Sequence, residues 1–140
     1  MIEYQEILEV RTPGRGMVDV TAGVRRIVAA AGVARGLGVV FCRHTSCSLL
    51  IQENADPDVQ HDLLDWLDRL APHGDPRHRH VAEGPDDMPS HLKAALTRTS
   101  ETIPIVEGAL ALGAWQGIYL VVHRRRPHRR ELLVHVSGLG

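Results

Sequence analysis

The sequence predicts a single α+β domain, and three observations carry that reading. Its 140 residues are 44% hydrophobic and 24% charged, the balance of an ordinary globular chain of one-domain size. Short β-branched and apolar runs bounded by Gly, Pro or charged turns occupy both ends and part of the middle. Between them lie segments with apolar residues at helical spacing. No repeat, linker or low-complexity block divides residues 1–140.

Residues 2–10 read as a first strand, closed by Pro13 and Gly14, and residues 16–20 as a short second one. Thr21 is placed as an N-cap, with Val24, Ile27, Val28 and Ala31 at helical spacing behind it and Gly32 as the stop. Residues 36–43 and 46–52 are apolar runs of strand length. The His44-Thr45 step between them reads as a hairpin or a sharp bend, although periodicity alone also allows two helical turns.

Asp56-Pro57-Asp58 is the clearest helix start: a capping carboxylate, a proline at the first helical position, and an acid at the positive end of the dipole. Val59, Leu63, Leu67 and Leu70 form its expected buried stripe, widened by Leu64 and Trp66, up to Pro72. Residues 71–89 make a long polar loop, a length that is often functional. A short third helix follows, with Asp87 near its cap, Pro89 in its first turn, and Leu92, Ala95 and Leu96 expected to be buried. Strands are expected at 102–106, 110–112, 117–123 and 131–137.

Composition narrows the function. Net charge is −1 with neutral histidines, so the chain is no polycation built for nucleic acid or anionic membranes. No apolar stretch approaches the roughly 20 residues that span a bilayer, and the N-terminus resembles neither a signal nor a transit peptide. The cytoplasm is the expected location. Cys42 and Cys47 are the only cysteines, and pairing them would require a tight turn.

Nine histidines, several beside carboxylates, point to metal or proton chemistry. His44, His80 and His91 come from three polar segments, and three protein ligands with one open position suit a catalytic zinc. The bland reading leaves His80 in a solvated loop run with His73 and His78. Asp86 and Asp87 read first as helix-capping acids and second as Mg²⁺ or histidine-orienting carboxylates. Asp56 is mostly a cap, Asn54 is freer to bind, and Asp62 is a solvated helical residue. A Ser46-His44-Asp56 hydrolase lacks the G-x-S-x-G turn. Trp115 and Gln116 form either a stacking and edge-reading pair or a core or interface feature. The run from Arg124 to Arg130 is a solvated turn or a phosphate clamp, and one basic loop is too little for nucleic acid.

The strings HTSCSLLIQENADPDVQHDL (44–63), HVAEGPDDMPSH (80–91), IPIVEG (103–108) and LALGAWQGIYL (110–120) closely resemble the YjbQ-like family, in order and spacing, over about residues 36–138. The resemblance implies a compact α+β fold with a β-sandwich-like mixed sheet, about three helices, a homotrimer, and a secondary thiamine phosphate synthase activity. It marks His44, Thr45, Ser46, Asn54, Asp56, Asp62, His80, Glu83, Asp86, Asp87, His91, Trp115 and Gln116.

The implied reaction is a transferase step that displaces pyrophosphate. His44, Asn54, Asp56, Asp86 and Asp87 are the expected catalytic residues, and Thr45, Ser46, Trp115, Gln116, Arg129 and Arg130 the expected substrate contacts. His44, His80 and His91 would hold a divalent metal, zinc or magnesium. The alternatives are a metal-assisted hydrolase or lyase on another phosphorylated or heterocyclic metabolite, and a non-catalytic metal- or ligand-binding trimer. Three positions depart from the family pattern: Val122 stands where a Glu is expected, Ala114 replaces a common Thr, and Cys47 takes a place usually held by a residue such as Ala.

Overall fold

The computed structural model describes residues 1–140 as eight strands and three helices. In chain order these are β1 (Ile2–Thr12), β2 (Gly16–Asp19), α1 (Thr21–Ala31), β3 (Arg35–Cys42), β4 (Cys47–Glu53), α2 (Pro57–Leu70), α3 (Asp87–Leu96), β5 (Ser100–Val106), β6 (Ala109–Leu110), β7 (Gln116–Val122) and β8 (His128–Leu139). One sheet runs β1-β8-β3-β5-β6 and the other β2-β7-β4. The α+β class and three helices stand, but every strand pairing is antiparallel rather than mixed. No helix is long and apolar enough to cross a membrane.

Strand alternation builds the layers. Val40 and Cys42 of β3, Leu132, Val134 and Val136 of β8, and Leu49, Leu120 and Val122 from the smaller sheet share one core cluster. α1 adds Val24, Ile27 and Val28 to it. On β7 the intervening Tyr119 and Val121 are buried too, because the smaller sheet is also covered on its other face, where Gln60 of α2 donates to the Tyr119 hydroxyl at 3.1 Å. Gly36 and Gly138 face each other where β3 meets β8, and a Cβ on Gly36 would fall 2.0 Å from the Ser137 carbonyl oxygen. Only glycine allows that approach.

Several local expectations change. The segment between β3 and β4 is a bend and not a hairpin, since β3 belongs to the larger sheet and β4 to the smaller. Thr21 is the first helical residue: its hydroxyl accepts from the Ile118 amide at 2.8 Å, and Asp19 accepts from the Thr21 amide at 2.9 Å. In α2 only Leu67 is buried, while Trp66 and Leu70 are half exposed. α3 is inverted from its expected orientation. It buries Asp87, Pro89, Ser90, Lys93 and Ala94, and leaves Leu96 59% exposed. The polar face goes inward because charged partners from distant segments meet it there. Ile7, Leu37, Phe41 and Val106 are 44–53% exposed on the outer side of the larger sheet.

Candidate metal centre

Asp87 opens α3 and is 2% exposed, so its charge must be met by partners inside the protein. Its Oδ2 lies 2.6 Å from His80 Nε2 and 3.1 Å from His91 Nε2. Its Oδ1 accepts from Arg124 Nη1 at 2.5 Å. His91 stands one helical turn after Asp87, which puts both on one face of α3. His80 arrives from the polar loop, which turns back through Gly84 at φ 104°. The three donor atoms lie within 4.8 Å of one another.

Arg124 stands two residues past the end of β7 and holds the acidic pair in place. It donates through Nε to Asp86 at 3.2 Å and through Nη2 to the Glu83 carbonyl at 3.0 Å, with its side chain 11% exposed. Asp86 also accepts from the Arg125 amide at 2.9 Å. Burial alone would raise both carboxyls. For Asp86 the Arg125 amide and the Arg124 charge overcome that, and for Asp87 the His80 hydrogen bond and Arg124 do so, leaving both below their usual values.

The orientation of His91 decides what the cluster can hold. Its Nδ1 lies 3.0 Å from the Thr45 carbonyl oxygen, which only accepts, so Nδ1 carries the proton. A neutral His91 then presents a bare lone pair at Nε2, facing a carboxylate oxygen at 3.1 Å. Two acceptors at that distance require a positive charge between them, either a second proton or a metal cation. A backbone carbonyl that fixes the outer ring nitrogen is the usual support of a metal-binding histidine. Two imidazole nitrogens and one carboxylate oxygen are also a donor set that zinc and related ions accept.

His44 stands apart from this cluster. Its Nε2 accepts from the Glu131 amide at 3.0 Å, and burial together with the Arg130 charge lowers its pKa. The expected His44-His80-His91 set is thus not brought together: an amide of β8 claims the His44 lone pair, and His80 and His91 gather with Asp87 instead. Thr45 contributes its carbonyl, and Ser46 Oγ accepts from Arg130 Nη2 at 3.0 Å. Arg129 and Arg130 point to opposite faces of β8. Arg130 is buried, whereas Arg129 is exposed and pairs with Glu9 at 3.3 Å. A surface hollow of about 500 Å³, lined by Arg11, Thr12, Pro13, Pro127, His128 and Arg129, includes none of the three donors.

Asn54, Trp115 and Gln116 gather at the opposite end of the β4–β7 pair. The Asn54 amide donates to the Trp115 carbonyl at 2.9 Å, and Asn54 and Gln116 border a hollow of about 420 Å³ with Asp19 and Arg25. β7 is seven residues long, so roughly 20 Å of strand separates Gln116 from the Arg124 end. Trp115 is 66% exposed. Asp56 caps α2 through the Asp58 amide at 2.9 Å, and Asp62 lies exposed on that helix.

The family model described as UPF0047 protein YjbQ-like matches residues 6–139. The chain belongs to this family. It is 53% identical over 136 residues to the UPF0047 protein sll1880 of Synechocystis, covering 97% of this chain and 92% of that one. It is 35% identical over 113 residues to the UPF0047 protein YugU of Bacillus subtilis, covering 80% and 83%. Among solved structures, the Thermus thermophilus protein TT1486 superposes with a TM-score of 0.83 at 39% identity, covering 94% of this chain and 99% of that one. The Aeropyrum pernix protein APE1520 superposes with a TM-score of 0.88 at 27% identity, covering 96% and 98%.

This YjbQ-like chain also holds a second buried polar group that the sequence does not single out. Lys93 donates to Asp68 at 2.5 Å, and Asp68 also pairs with Arg15 at 2.6 Å. His123 Nε2 lies 2.9 Å from Ser48 Oγ, which accepts from Thr97. Burial, reinforced by Lys93 and Arg130, lowers the His123 pKa to about 3 and keeps the ring neutral. Val122, the position of the missing Glu, is a core residue opposite Cys47. Hydrogen bonding from Cys47 brings the Cys42 thiol down to about 7, and the same contact, with burial, pushes Cys47 up.

Proposed function

We propose that the chain is a divalent-metal-dependent enzyme that performs hydrolytic or lyase chemistry on a small phosphorylated or heterocyclic metabolite. The observation that carries this reading is His91, whose Nδ1–H is committed to the Thr45 carbonyl while Nε2 faces Asp87 and His80. His80, Asp87 and His91 would hold the ion. Bound there, a zinc-type ion supplies a Lewis acid for a carbonyl or phosphoryl oxygen and activates water near neutral pH. Arg124 keeps Asp87 ionised and is itself held by Asp86, and Thr45 keeps His91 in one tautomer.

The diphosphate-displacing transfer of the thiamine-phosphate-synthase type rests on the motif resemblance. Within one chain its expected parts stand at separate ends: Asp86 and Asp87 by α3, Asn54 and Trp115 at the far end of β7, and Arg129 on an outer face. The metal-assisted reading needs only residues that already touch. We assign the outer face of the larger sheet, with half-exposed Ile7, Leu37 and Phe41, to contacts with other copies in a homotrimer.

The test is turnover by chelator-stripped protein, before and after reloading with zinc, manganese or magnesium. It uses a panel of phosphorylated metabolites that includes a hydroxymethylpyrimidine diphosphate and thiazole phosphate pair. Activity should return only with metal and fall by about 100-fold or more in His91→Ala, the scale on which loss of metal-site support acts. Sedimentation of the same preparation should give a trimer. Turnover unaffected by stripping, or by His91→Ala, would contradict the enzyme reading, and a monomer would contradict the assembly.

A further inference from the structure

Cys42 ends β3 and Cys47 begins β4, so the two thiols flank the bend that carries the chain from one sheet to the other. Their Sγ atoms lie 3.4 Å apart, and both residues are free and buried, 2% and 0% exposed. A disulfide requires about 2.05 Å, so pairing needs a combined movement of roughly 1–1.5 Å. A bend of four residues, with no strand pairing of its own, can take up that movement.

Two features set this pair apart from inert core cysteines. Arg130 is 5% exposed, makes no ion pair, and leaves Nε without a partner, while Nη2 reaches only Ser46. A buried guanidinium without an anion favours the thiolate form of a neighbouring cysteine. Cys42 also lines a surface hollow of about 350 Å³ together with Phe41, Arg43, His44, Thr45 and Thr99. The Cys42 side chain itself turns into the core, and the bend residues Arg43, His44 and Thr45 form much of the hollow's wall, so the hollow borders the segment that must move for peroxide to reach the sulfur.

We propose that Cys42 and Cys47 are a modification site, a peroxide-responsive dithiol that closes reversibly to a disulfide across the sheet-to-sheet bend. The Cys42 thiolate attacks one oxygen of hydrogen peroxide and the O–O bond breaks, leaving a Cys42 sulfenic acid and hydroxide. The hydroxide takes up the proton that Cys42 released. Cys47 then attacks the Cys42 sulfur, the S–O bond breaks, and the hydroxyl leaves as water with the Cys47 proton. Two thiols are oxidised by two electrons, and one peroxide is reduced to two waters. The loop so closed contains Thr45, whose carbonyl orients His91. The chemistry itself does not depend on a metal at that site.

Trypsin cleavage after Arg43, which lies between the two cysteines, makes the test direct. Protein treated with hydrogen peroxide would be denatured, alkylated and mapped by mass spectrometry beside untreated protein. The expected result is a linked pair of peptides, residues 36–43 with 44–69, that has lost two hydrogens and accepts no alkyl group until dithiothreitol separates it. In Cys47→Ala, whose small side chain suits the packed position, Cys42 should instead be trapped as a sulfenic acid by dimedone. Two freely alkylated cysteines after treatment would overturn the proposal. So would Cys42 sulfinic or sulfonic acid without the linked pair, or a bond formed only between chains on a non-reducing gel.

Discussion

Asp87→Ala is expected to lower the unfolding free energy by about 3–5 kcal/mol, the cost of breaking a buried ion pair from one side. The carboxylate is 2% exposed and is shared by Arg124, His80 and His91. Without it, Arg124 keeps only Asp86 and the Glu83 carbonyl, and two imidazoles lose their common acceptor. Asp56→Ala makes a useful contrast: that carboxylate is exposed and caps one helix, so its loss should cost only about 1 kcal/mol. Urea denaturation at neutral pH, with chelator present so that metal release does not contribute, compares the two. A loss below about 1 kcal/mol for Asp87→Ala would show that the cluster does not depend on this carboxylate.

Acidification should remove a comparable amount of stability through His123. Its folded pKa is about 3, well below the ordinary histidine value of 6.5, because the ring is buried near Lys93 and Arg130. For a depressed pKa the sign is fixed: the unfolded chain takes up the proton first, so the stabilisation is complete above the unfolded value and is lost as pH falls toward the folded one. Between about pH 7 and about pH 4.5 this amounts to about 2–3 kcal/mol, and by about pH 3 to about 4 kcal/mol. The depressed carboxyls of Asp68, Asp86 and Asp87 contribute their own loss mainly below the ordinary carboxyl value of 3.8, so the upper window reports histidines. His44 and His73 shift in the same direction. His123→Gln, which retains a polar partner for Ser48 without titrating, isolates the His123 share. Unfolding curves at several pH values should be about 2 kcal/mol flatter for the variant over the upper window. Equal slopes would place the titration elsewhere.

What could be read from the sequence was local. Asp56-Pro57-Asp58 announces α2 because a cap, a first-turn proline and a dipole-facing acid act on neighbouring amides. Gly32 stops α1 because its backbone, at φ 69°, is left-handed. The site was legible only in part, since His80, Asp87 and His91 lie within a dozen residues but their partners do not. Thr45 reaches His91 from 46 residues away, and Arg124 reaches Asp87 from 37 residues away.

The same long-range pairing explains α3. Apolar spacing favoured Leu92, Ala95 and Leu96 as the inner face, yet Asp68 and Arg124 draw Lys93 and Asp87 inward. Nothing beside Asp86 and Asp87 in sequence announced Arg124, since Arg79 and Lys93 are the nearer cations. Its identity within a run of arginines was not readable, because strand alternation separates neighbours: Arg130 turns into the core and Arg129 turns out.

Binding of a divalent metal ion by His80, Asp87 and His91 can be read out as stoichiometric metal content. Tag-free protein prepared without chelator, then incubated with zinc, manganese, nickel or magnesium and desalted, would be measured by elemental mass spectrometry beside His91→Ala. About one zinc-type ion per chain is expected, the complement of a site with three protein ligands, and its loss in the variant. Metal-free protein after every incubation, or an equal metal content in His91→Ala, would contradict metal binding at this site.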